Sequence, residues 1–187
     1  MIIAIIPAKN ISRRLPKKNM TKIFGKPLIY YTILYSQKSQ MIDKTVVSSE
    51  SQKIITYAKK NFLETIIRPL KLCGETPIID VYRHAYKILK KKYKIKTIVG
   101  LQPDHPDRKV SLDKVIKIFE RKKLDFLYSK DKYGNKNGAH YILSKRILEG
   151  NKSKKTSYII DSCTNVHLKE DLKKVKKILK GDRSWNQ

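Results

Sequence analysis

The stretch that decides the fold is IIAIIPAKNISRRLPKKN, residues 2–19. Residues 2–6 form a continuous apolar run that stops at Pro7, a pattern typical of a short buried β-strand. Backbone N–H groups and cations that directly follow such a strand can bind the phosphates of a nucleotide. The next loop carries five cations, although a solvated basic loop is the alternative in so lysine-rich a chain: Lys9, Arg13, Arg14, Lys17 and Lys18.

Outward from this strand, apolar and amphipathic segments alternate. Such alternation predicts an α/β fold with a mostly parallel sheet and helices on both faces. The run at 97–103 is the most apolar, so we expect it at the centre of the sheet, and functional loops should follow the carboxyl ends of the strands. Further strands are predicted at 44–48, 65–69, 97–103, 125–128, 139–143 and 157–161, and helices begin at Pro27, Ser51, Thr76, Ser111 and residue 167.

Length and composition exclude several classes of protein. The 187 residues, of which 40% are hydrophobic, predict one domain over 1–187, with a loosely ordered tail at 181–187. No apolar run approaches the roughly 18 residues of a membrane-spanning helix. The apolar N-terminus lacks the preceding basic region of a secretory signal, and two cysteines make no disulfide framework. We therefore expect a cytoplasmic protein that makes no membrane contact.

The net charge of +27 first suggests nucleic acid. However, 35 of the 43 basic residues are lysine, whereas base edges and phosphates are often contacted by the planar fork of arginine. The lysines are spread over predicted helices, which favours solvated helix faces in a lysine-rich chain. We therefore expect no specific nucleic-acid partner, although a nucleic-acid-binding module stays open as an alternative.

Residues 3–19, IAIIPAKNISRRLPKKN, resemble the opening signature of the acylneuraminate cytidylyltransferases, roughly I-P-A-R-x-x-S-K-R-x-P-x-K-N. The later pieces follow in the family's order: GKPLI at 25–29, VVSSE at 46–50, IIRP at 66–69, LQPDHPDR at 101–108 and NGAHYI at 137–142. The resemblance implies a Rossmann-like three-layer α/β/α fold of the nucleotide-diphospho-sugar transferase type. It also implies CTP as co-substrate, Mg²⁺ as cofactor, and release of pyrophosphate when the hydroxyl of an acidic sugar attacks the α-phosphate.

The resemblance also implies roles for individual residues. Lys18 is the candidate for stabilising charge at the α-phosphate, and Lys9 and Arg13 complete the catalytic set. His105 could instead be a surface histidine and His140 a core or solvent-facing one. The implied nucleotide-binding residues are Ala8, Lys9, Asn10, Ser12, Arg13, Lys18, Asn19, Arg68 and Gln102, and the implied acceptor-binding residues are Gln102, His105, Asn137 and His140.

The chain departs from the family pattern at the metal. The family's LQPTSPLR is LQPDHPDR here, which adds Asp104, and the family's final Asp-x-Asp pair keeps Asp161 but has Cys163 at its second position. Mg²⁺ prefers oxygen ligands, so the predicted metal ligands are Asp104 and Asp161. A turn-capping role for Asp104 is nearly as favoured.

The chain is also short between two family motifs, since 28 residues separate Arg108 from Asn137. The resemblance implies that the family's dimerisation extension is reduced or missing here. The acceptor pocket is then more open, or is completed by another protein, and the oligomeric state is left open. Three alternatives remain: another nucleotide or acceptor, a catalytically impaired nucleotide-binding homologue, and a nucleic-acid-binding module.

Overall fold

The computed structural model describes residues 1–10, 12, 14–181 and 185. Its main sheet has seven strands, and a separate two-stranded hairpin, β2 and β3, precedes the first helix. The nine strands in chain order are β1 Ile2–Pro7, β2 Lys22–Ile23, β3 Lys26–Pro27, β4 Lys44–Ser49, β5 Glu64–Ile67, β6 Thr97–Gly100, β7 Phe126–Lys130, β8 Lys136–Ser144 and β9 Thr156–Ile160.

Six α-helices pack around this sheet. The longest described helix has 13 residues, and no helix in the described part of the chain is long and apolar enough to cross a membrane. The helices are α1 Leu28–Gln37, α2 Gln52–Lys60, α3 Ile78–Leu89, α4 Leu112–Arg121, α5 Lys145–Leu148 and α6 Lys169–Gly181.

The strand order is β5-β4-β1-β6-β8-β7-β9, which places β6 in the middle. This confirms both the α/β class and the central position predicted for the most apolar run. All neighbouring strands of the main sheet are parallel except β8, which runs antiparallel to β6 and β7. The sequence did not predict the reversed direction of β8, because a buried antiparallel strand is as apolar as its parallel neighbours.

The inner strands of the sheet are buried on both faces, which explains their unbroken apolar runs. On one face, Val99 and Ile142 pack with α1, α2 and α4 through side chains such as Ile33. On the other face, Ile98 packs against α3 and α5, with Tyr82 at the centre. The sheet is therefore the middle layer of three, as the resemblance implied.

Two predicted helix starts are confirmed in position but not in mechanism. Ser51 and Ser111 precede α2 and α4, yet neither side chain makes a capping hydrogen bond. The two serines therefore mark the helix boundaries by position, with φ/ψ of −88°/118° at Ser51 and −59°/135° at Ser111.

Within 181–187, which the sequence predicts as a loosely ordered tail, the structure describes Gly181 and Trp185. Gly181 is the last residue of α6. The indole ring of Trp185 stacks on Phe24 at 5.1 Å between ring centroids, and its Nε1 donates to the carbonyl of Leu179. Residues 182–184 and 186–187 lie outside the described part. α6 packs against Leu15 and Leu28 through its buried apolar side chains, which places α6 against the loop that follows β1.

Candidate active site

A cavity of about 220 Å³ opens at the carboxyl ends of β1 and β6. The loops after these strands form it together with the segment after β5 and the first turns of α3. This is the edge at which ligands bind in open α/β sheets. Six residues predicted to bind nucleotide line this one cavity: Lys9, Ser12, Lys18, Asn19, Arg68 and Gln102.

Lys18 projects into this cavity from a short 3-10 helix, Lys18–Met20, and only 8% of it is exposed. Its Nζ donates to Oδ2 of Asp104 and to the carbonyl of Val166, both at 2.8 Å. The ammonium group is therefore held between the loop after β6 and the segment before α6. Its three donors are not all used by these two contacts, so one N–H is free to reach a phosphate oxygen.

Asp104 lies opposite Lys18 at the end of the central strand. Burial raises the pKa of its carboxyl group, but the neighbouring His105 ring and the Lys18 ammonium group outweigh burial and hold the pKa well below its usual range. Its second oxygen, Oδ1, is buried and has no hydrogen-bond partner among the described residues. The nearest group is Nδ1 of His105, at 3.4 Å. Asp104 is thus an ionised carboxylate with an unused oxygen.

The loop that follows β1, residues 8–19, is called the phosphate loop here for the role that the sequence predicts. Its described backbone is fixed from several sides. The N–H of Ala8 donates to the carbonyl of Ser48 on β4 at 3.0 Å, and Ala8 itself is fully buried beneath the loop. Nδ2 of Asn19 donates to the carbonyl of Lys9 at 2.8 Å, which closes the loop on itself. Arg13, one of the predicted catalytic residues, lies outside the described residues.

Glu50 is a site residue that the sequence reasoning missed. Its Oε1 accepts the backbone N–H of Asn10 at 2.6 Å, and its Oε2 accepts Nη2 of Arg68 at 2.8 Å. The two charged side chains are 7% and 3% exposed. Burial by itself raises the pKa of Glu50, but these hydrogen bonds and the Arg68 charge lower it overall. Glu50 therefore ties the phosphate loop to an arginine of the cavity wall.

Gln102 is positioned by a glycine on the neighbouring strand. Gly138 has a φ of +80°, and a Cβ atom there would lie 2.8 Å from Nε2 of Gln102. Only glycine fits both constraints, which explains the glycine of the NGA segment. Arg108 holds the same loop, since it donates to the carbonyls of Gln102 and Ala139 at 2.6 and 3.1 Å.

Three predicted acceptor-binding residues do not line the cavity. His105 and His140 are 0% exposed, and Nε2 of His140 lies 2.7 Å from the Tyr35 hydroxyl. Asn137 uses its side chain to donate to the carbonyl of Asp161 and to accept from Ser129, both at 2.6 Å. In this structure these side chains support the loops around the cavity, and Gln102 is the predicted acceptor residue that faces it.

Asp161, the second predicted metal ligand, is 1% exposed and is not part of the cavity lining. Its Oδ1 accepts the backbone N–H of Lys109 at 3.1 Å. The Tyr35 hydroxyl donates to the carbonyl of Val110, so Nε2 of His140 donates to Tyr35 and its Nδ1 keeps a lone pair. That lone pair faces Oδ2 of Asp161 at 3.7 Å. Burial raises the pKa of Asp161 overall.

The comparison with protein families decides the identity of the fold and site. A family model described as "Cytidylyltransferase" matches residues 3–180. The chain belongs to the cytidylyltransferase family. The sequence resemblance in the phosphate loop and the LQP segment is thereby confirmed at the level of the family, and the family's proteins are nucleotidyltransferases.

The curated relatives of this chain are named for different sugar acids. The chain is 32% identical over 108 residues to the N-acylneuraminate cytidylyltransferase of Escherichia coli O18:K1:H7, covering 57% of this chain and 25% of the relative. It is 33% identical over 108 residues to the 3-deoxy-manno-octulosonate cytidylyltransferase of Wigglesworthia glossinidia brevipalpis, covering 56% and 41%. The alignments thus span well under half the length of these curated relatives.

Solved structures resemble this chain over almost its whole length. A CMP-2-keto-3-deoxy-manno-octonic acid synthetase complexed with CTP superposes with a TM-score of 0.77, at 13% identity, covering 97% of this chain and 99% of that one. A cytidylyltransferase from Leptospira borgpetersenii serovar Hardjo-bovis gives a TM-score of 0.63 at 23% identity, covering 79% and 62%. These likenesses establish the Rossmann-like nucleotidyltransferase fold.

Replacing Asp161 with asparagine tests whether the Asp161 carboxylate has a structural role or is a metal ligand. Asparagine can still accept from Lys109, and its amide can donate to the lone pair of His140. Because the folded-state pKa of Asp161 is raised, the native protein binds more protons than the unfolded chain, and Asp161 lowers stability as pH rises through that pKa. We expect Asp161→Asn to match or exceed the wild-type stability at pH 7 and to lose this part of the pH dependence.

Thermal unfolding at several pH values measures this effect, and the control is the Mg²⁺ concentration needed for half-maximal activity. A structural Asp161 leaves that concentration unchanged. A large increase in the Mg²⁺ requirement of Asp161→Asn would instead make Asp161 a metal ligand, as the sequence suggested.

Proposed function

We propose that this cytidylyltransferase-family protein uses CTP to activate an acidic sugar, which gives a CMP-sugar and pyrophosphate for a cell-surface polymer. The observation that carries the proposal is the convergence of Lys9, Lys18 and Arg68 on one cavity. Asp104 and Glu50 hold Lys18 and Arg68 in place, and all three cations can contact phosphate oxygens. The family match supports CTP as the nucleotide. The curated relatives act on sialic, pseudaminic and octulosonic acids, which supports an acidic acceptor.

Each part of the cavity has a proposed task. Lys9 and Arg68 bind phosphate oxygens, and the free N–H of Lys18 stabilises the charge that develops at the α-phosphate. Backbone groups at 73–76, which border the cavity, recognise the cytosine ring. Gln102 contacts the acceptor sugar and holds its hydroxyl in line with the α-phosphorus.

Mg²⁺ is the proposed cofactor, and Asp104 is the residue that fits it. Asp104 is the single carboxylate that lines the described part of the cavity, and its Oδ1 has no hydrogen-bond partner there. Mg²⁺ commonly binds through one or two carboxylates together with substrate phosphates. When bound, the ion would lower the pKa of the acceptor hydroxyl and neutralise phosphate charge. The arrangement assigns no ligand role to Asp161, whose oxygens face backbone N–H groups.

No histidine borders the described part of the cavity, so no imidazole is assigned as general base. Asp104 is a weak base, because its pKa is held low by its neighbours. No side chain of the described lining is assigned as the proton acceptor, so the proton of the acceptor hydroxyl passes to solvent water and the positive charge of Lys18 favours the resulting oxyanion. Nζ of Lys18 is held by Asp104 and by the carbonyl of Val166. Its remaining N–H can donate to a phosphate oxygen.

Pyrophosphate release measured with CTP, UTP, GTP and ATP against a panel of sugar acids tests the proposed function. The panel contains sialic, pseudaminic, legionaminic and octulosonic acids. We expect turnover with CTP and at least one of these acids, dependent on Mg²⁺. Activity with UTP or GTP alone would overturn CTP as donor, and activity only with neutral sugar phosphates would overturn the acidic acceptor.

A nucleotide-binding homologue without turnover is the second candidate. It is favoured by Cys163, which stands at the family's second metal-ligand position and is 8% exposed. Burial and the nearby Asp161 raise the pKa of this thiol far above its usual range, so it supplies no thiolate. CTP binding that is independent of Mg²⁺ and gives no pyrophosphate with any acceptor would favour this candidate over the enzyme.

A further inference from the structure

An exposed surface of aromatic and basic side chains lies near the β9 edge of the sheet, opposite the β5 edge. It is formed by Tyr128 and Lys130 on β7, Lys136 on β8 and Tyr158 on β9, and we name these four residues the tyrosine platform. In the strand register, Tyr128 lies opposite Tyr141 on one side and opposite Tyr158 on the other. Aromatic rings therefore follow one another across three adjacent strands.

The tyrosine platform is the uncovered part of a face that is buried elsewhere. α3 and α5 cover the same face of the sheet, and the cluster beneath them reaches as far as Phe126 and Tyr141. Beyond these two residues the cover stops. Tyr158 is 52% exposed and its neighbour Ile160 is 59% exposed, on a strand at the edge of the sheet. Contiguous exposed apolar surface of this kind marks interaction sites more often than single exposed side chains do.

Two lysines define the chemistry of the tyrosine platform. Nζ of Lys130 lies 4.3 Å from the ring centroid of Tyr158, and Nζ of Lys136 lies 4.4 Å from that of Tyr128. A charged ammonium group stays hydrated, so its place above each ring shows that a face of the ring is turned to solvent. The three strands β7, β8 and β9 contain no acidic residue within their bounds.

The partner must be anionic to complement the lysines and flat to complement the rings. The rings of Phe126 and Tyr128 are 5.6 Å apart between centroids and tilted by 33°, and those of Tyr128 and Tyr158 are 6.2 Å apart and tilted by 36°, so the three rings contact one another along the surface. An acidic peptide supplies charge without planar rings. Single-stranded nucleic acid supplies both, because its bases stack on aromatic side chains while its phosphates contact cations.

We propose that the tyrosine platform binds single-stranded nucleic acid without sequence preference. Bases stack on Tyr128 and Tyr158, and Lys130 and Lys136 turn from the rings to the phosphates. The surface is made of residues other than those that line the nucleotide cavity, so the proposal stands or falls independently of the cytidylyltransferase activity. It also gives part of the +27 net charge a definite partner, one that composition alone could not support.

Fluorescence anisotropy with a labelled oligothymidylate of about 12 nucleotides tests the proposal on the full chain. The variants are Tyr158→Leu, Tyr158→Phe and the pair Lys130→Gln/Lys136→Gln. The matched control is Lys59→Gln/Lys60→Gln, which removes the same charge from exposed positions on α2, a helix on the opposite face of the sheet. Circular dichroism and thermal unfolding verify that each variant is folded.

We expect Tyr158→Leu to weaken binding at least about 5-fold and Tyr158→Phe to retain it, since phenylalanine keeps the ring. The variant Lys130→Gln/Lys136→Gln should reduce the slope of log affinity against log salt by about 1.4, which is twice the value for one phosphate of a single strand. The control pair should change the slope by clearly less. Pyrophosphate release should be unaffected in all four variants.

Three results would overturn the proposal. One is equal binding by wild type and Tyr158→Leu. Another is a loss in the control lysine pair as large as in the platform pair, which would reduce the effect to total charge. The third is competition by polyglutamate or an acidic polysaccharide of equal charge as strong as that by unlabelled oligothymidylate, because a polymer without bases cannot stack.

Discussion

Replacing Lys18 with methionine is expected to lower kcat for CTP by about 100- to 1,000-fold, the loss typical when one preorganised charge-stabilising donor is removed. Methionine keeps most of the side-chain length and removes the ammonium group. We expect so large an effect because Nζ of Lys18 is held at 2.8 Å from both Asp104 and Val166. In this position it can contact phosphate without rearrangement of the chain. Steady-state kinetics of pyrophosphate release measure the effect.

The same substitution leaves Asp104 as a buried carboxylate without its ion-pair partner, which costs about 3 kcal/mol of stability. The double variant Lys18→Met/Asp104→Asn separates the two consequences, because a neutral amide removes the unpaired charge. We expect the double variant to regain stability in urea unfolding but not activity. Recovery of kcat in the double variant would show that turnover needs neither the Lys18 ammonium group nor the Asp104 carboxylate, which would contradict both proposed roles.

Replacing Glu50 with alanine is expected to lower the free energy of unfolding by about 3–5 kcal/mol. The substitution removes the partner of the buried Arg68 guanidinium, whose Nε already lacks a hydrogen-bond partner in the described structure, and frees the N–H of Asn10. Urea unfolding measures the loss. The matched control is Glu120→Ala, since Glu120 pairs with the exposed Lys96 at 2.9 Å and should contribute less than about 1 kcal/mol.

The Glu50 effect should also depend on pH. The pKa of Glu50 is lowered in the folded state, so its contribution to stability is present above the unfolded-state pKa and is lost as pH falls through the folded-state value. The difference in stability between wild type and Glu50→Gln should therefore shrink below about pH 4. A difference that stays constant down to pH 3, or a Glu50→Ala loss no larger than that of Glu120→Ala, would contradict a role for this ion pair.

The alternation of apolar segments was sufficient to predict the sheet, its central strand and the cavity edge. The run after Lys96 is bounded by polar residues on one side and by the Gln102–Pro103 turn on the other, and the structure places it at the middle of seven strands. The antiparallel direction of β8 could not be predicted from the sequence, because β8 buries its side chains as parallel strands do. The short hairpin β2–β3 was also missed, since two-residue strands carry no periodicity.

The site was predictable where a side chain acts through its own position in a loop, as Lys18 does. It was not predictable where two distant segments must meet. Glu50 directly follows β4, and an acidic residue at a strand end was a signal in itself, but its partners are Arg68 and the backbone of Asn10. His105 and His140 looked available for binding in the sequence, whereas the chain packing buries both.

The contact between the phosphate loop and the C-terminal segment has a consequence for synthesis on the ribosome. Lys18 is held by the carbonyl of Val166, and the N–H of Val166 donates to the carbonyl of Asp104. Contacts across 148 residues form only after most of the chain has emerged. A nascent chain that ends before Val166 can therefore build the inner strands but lacks one of the two acceptors that hold Lys18. The contacts that hold Lys18 are therefore completed late in synthesis, and we expect chains truncated before Val166 to fold in part without the Lys18 geometry on which the proposed activity depends.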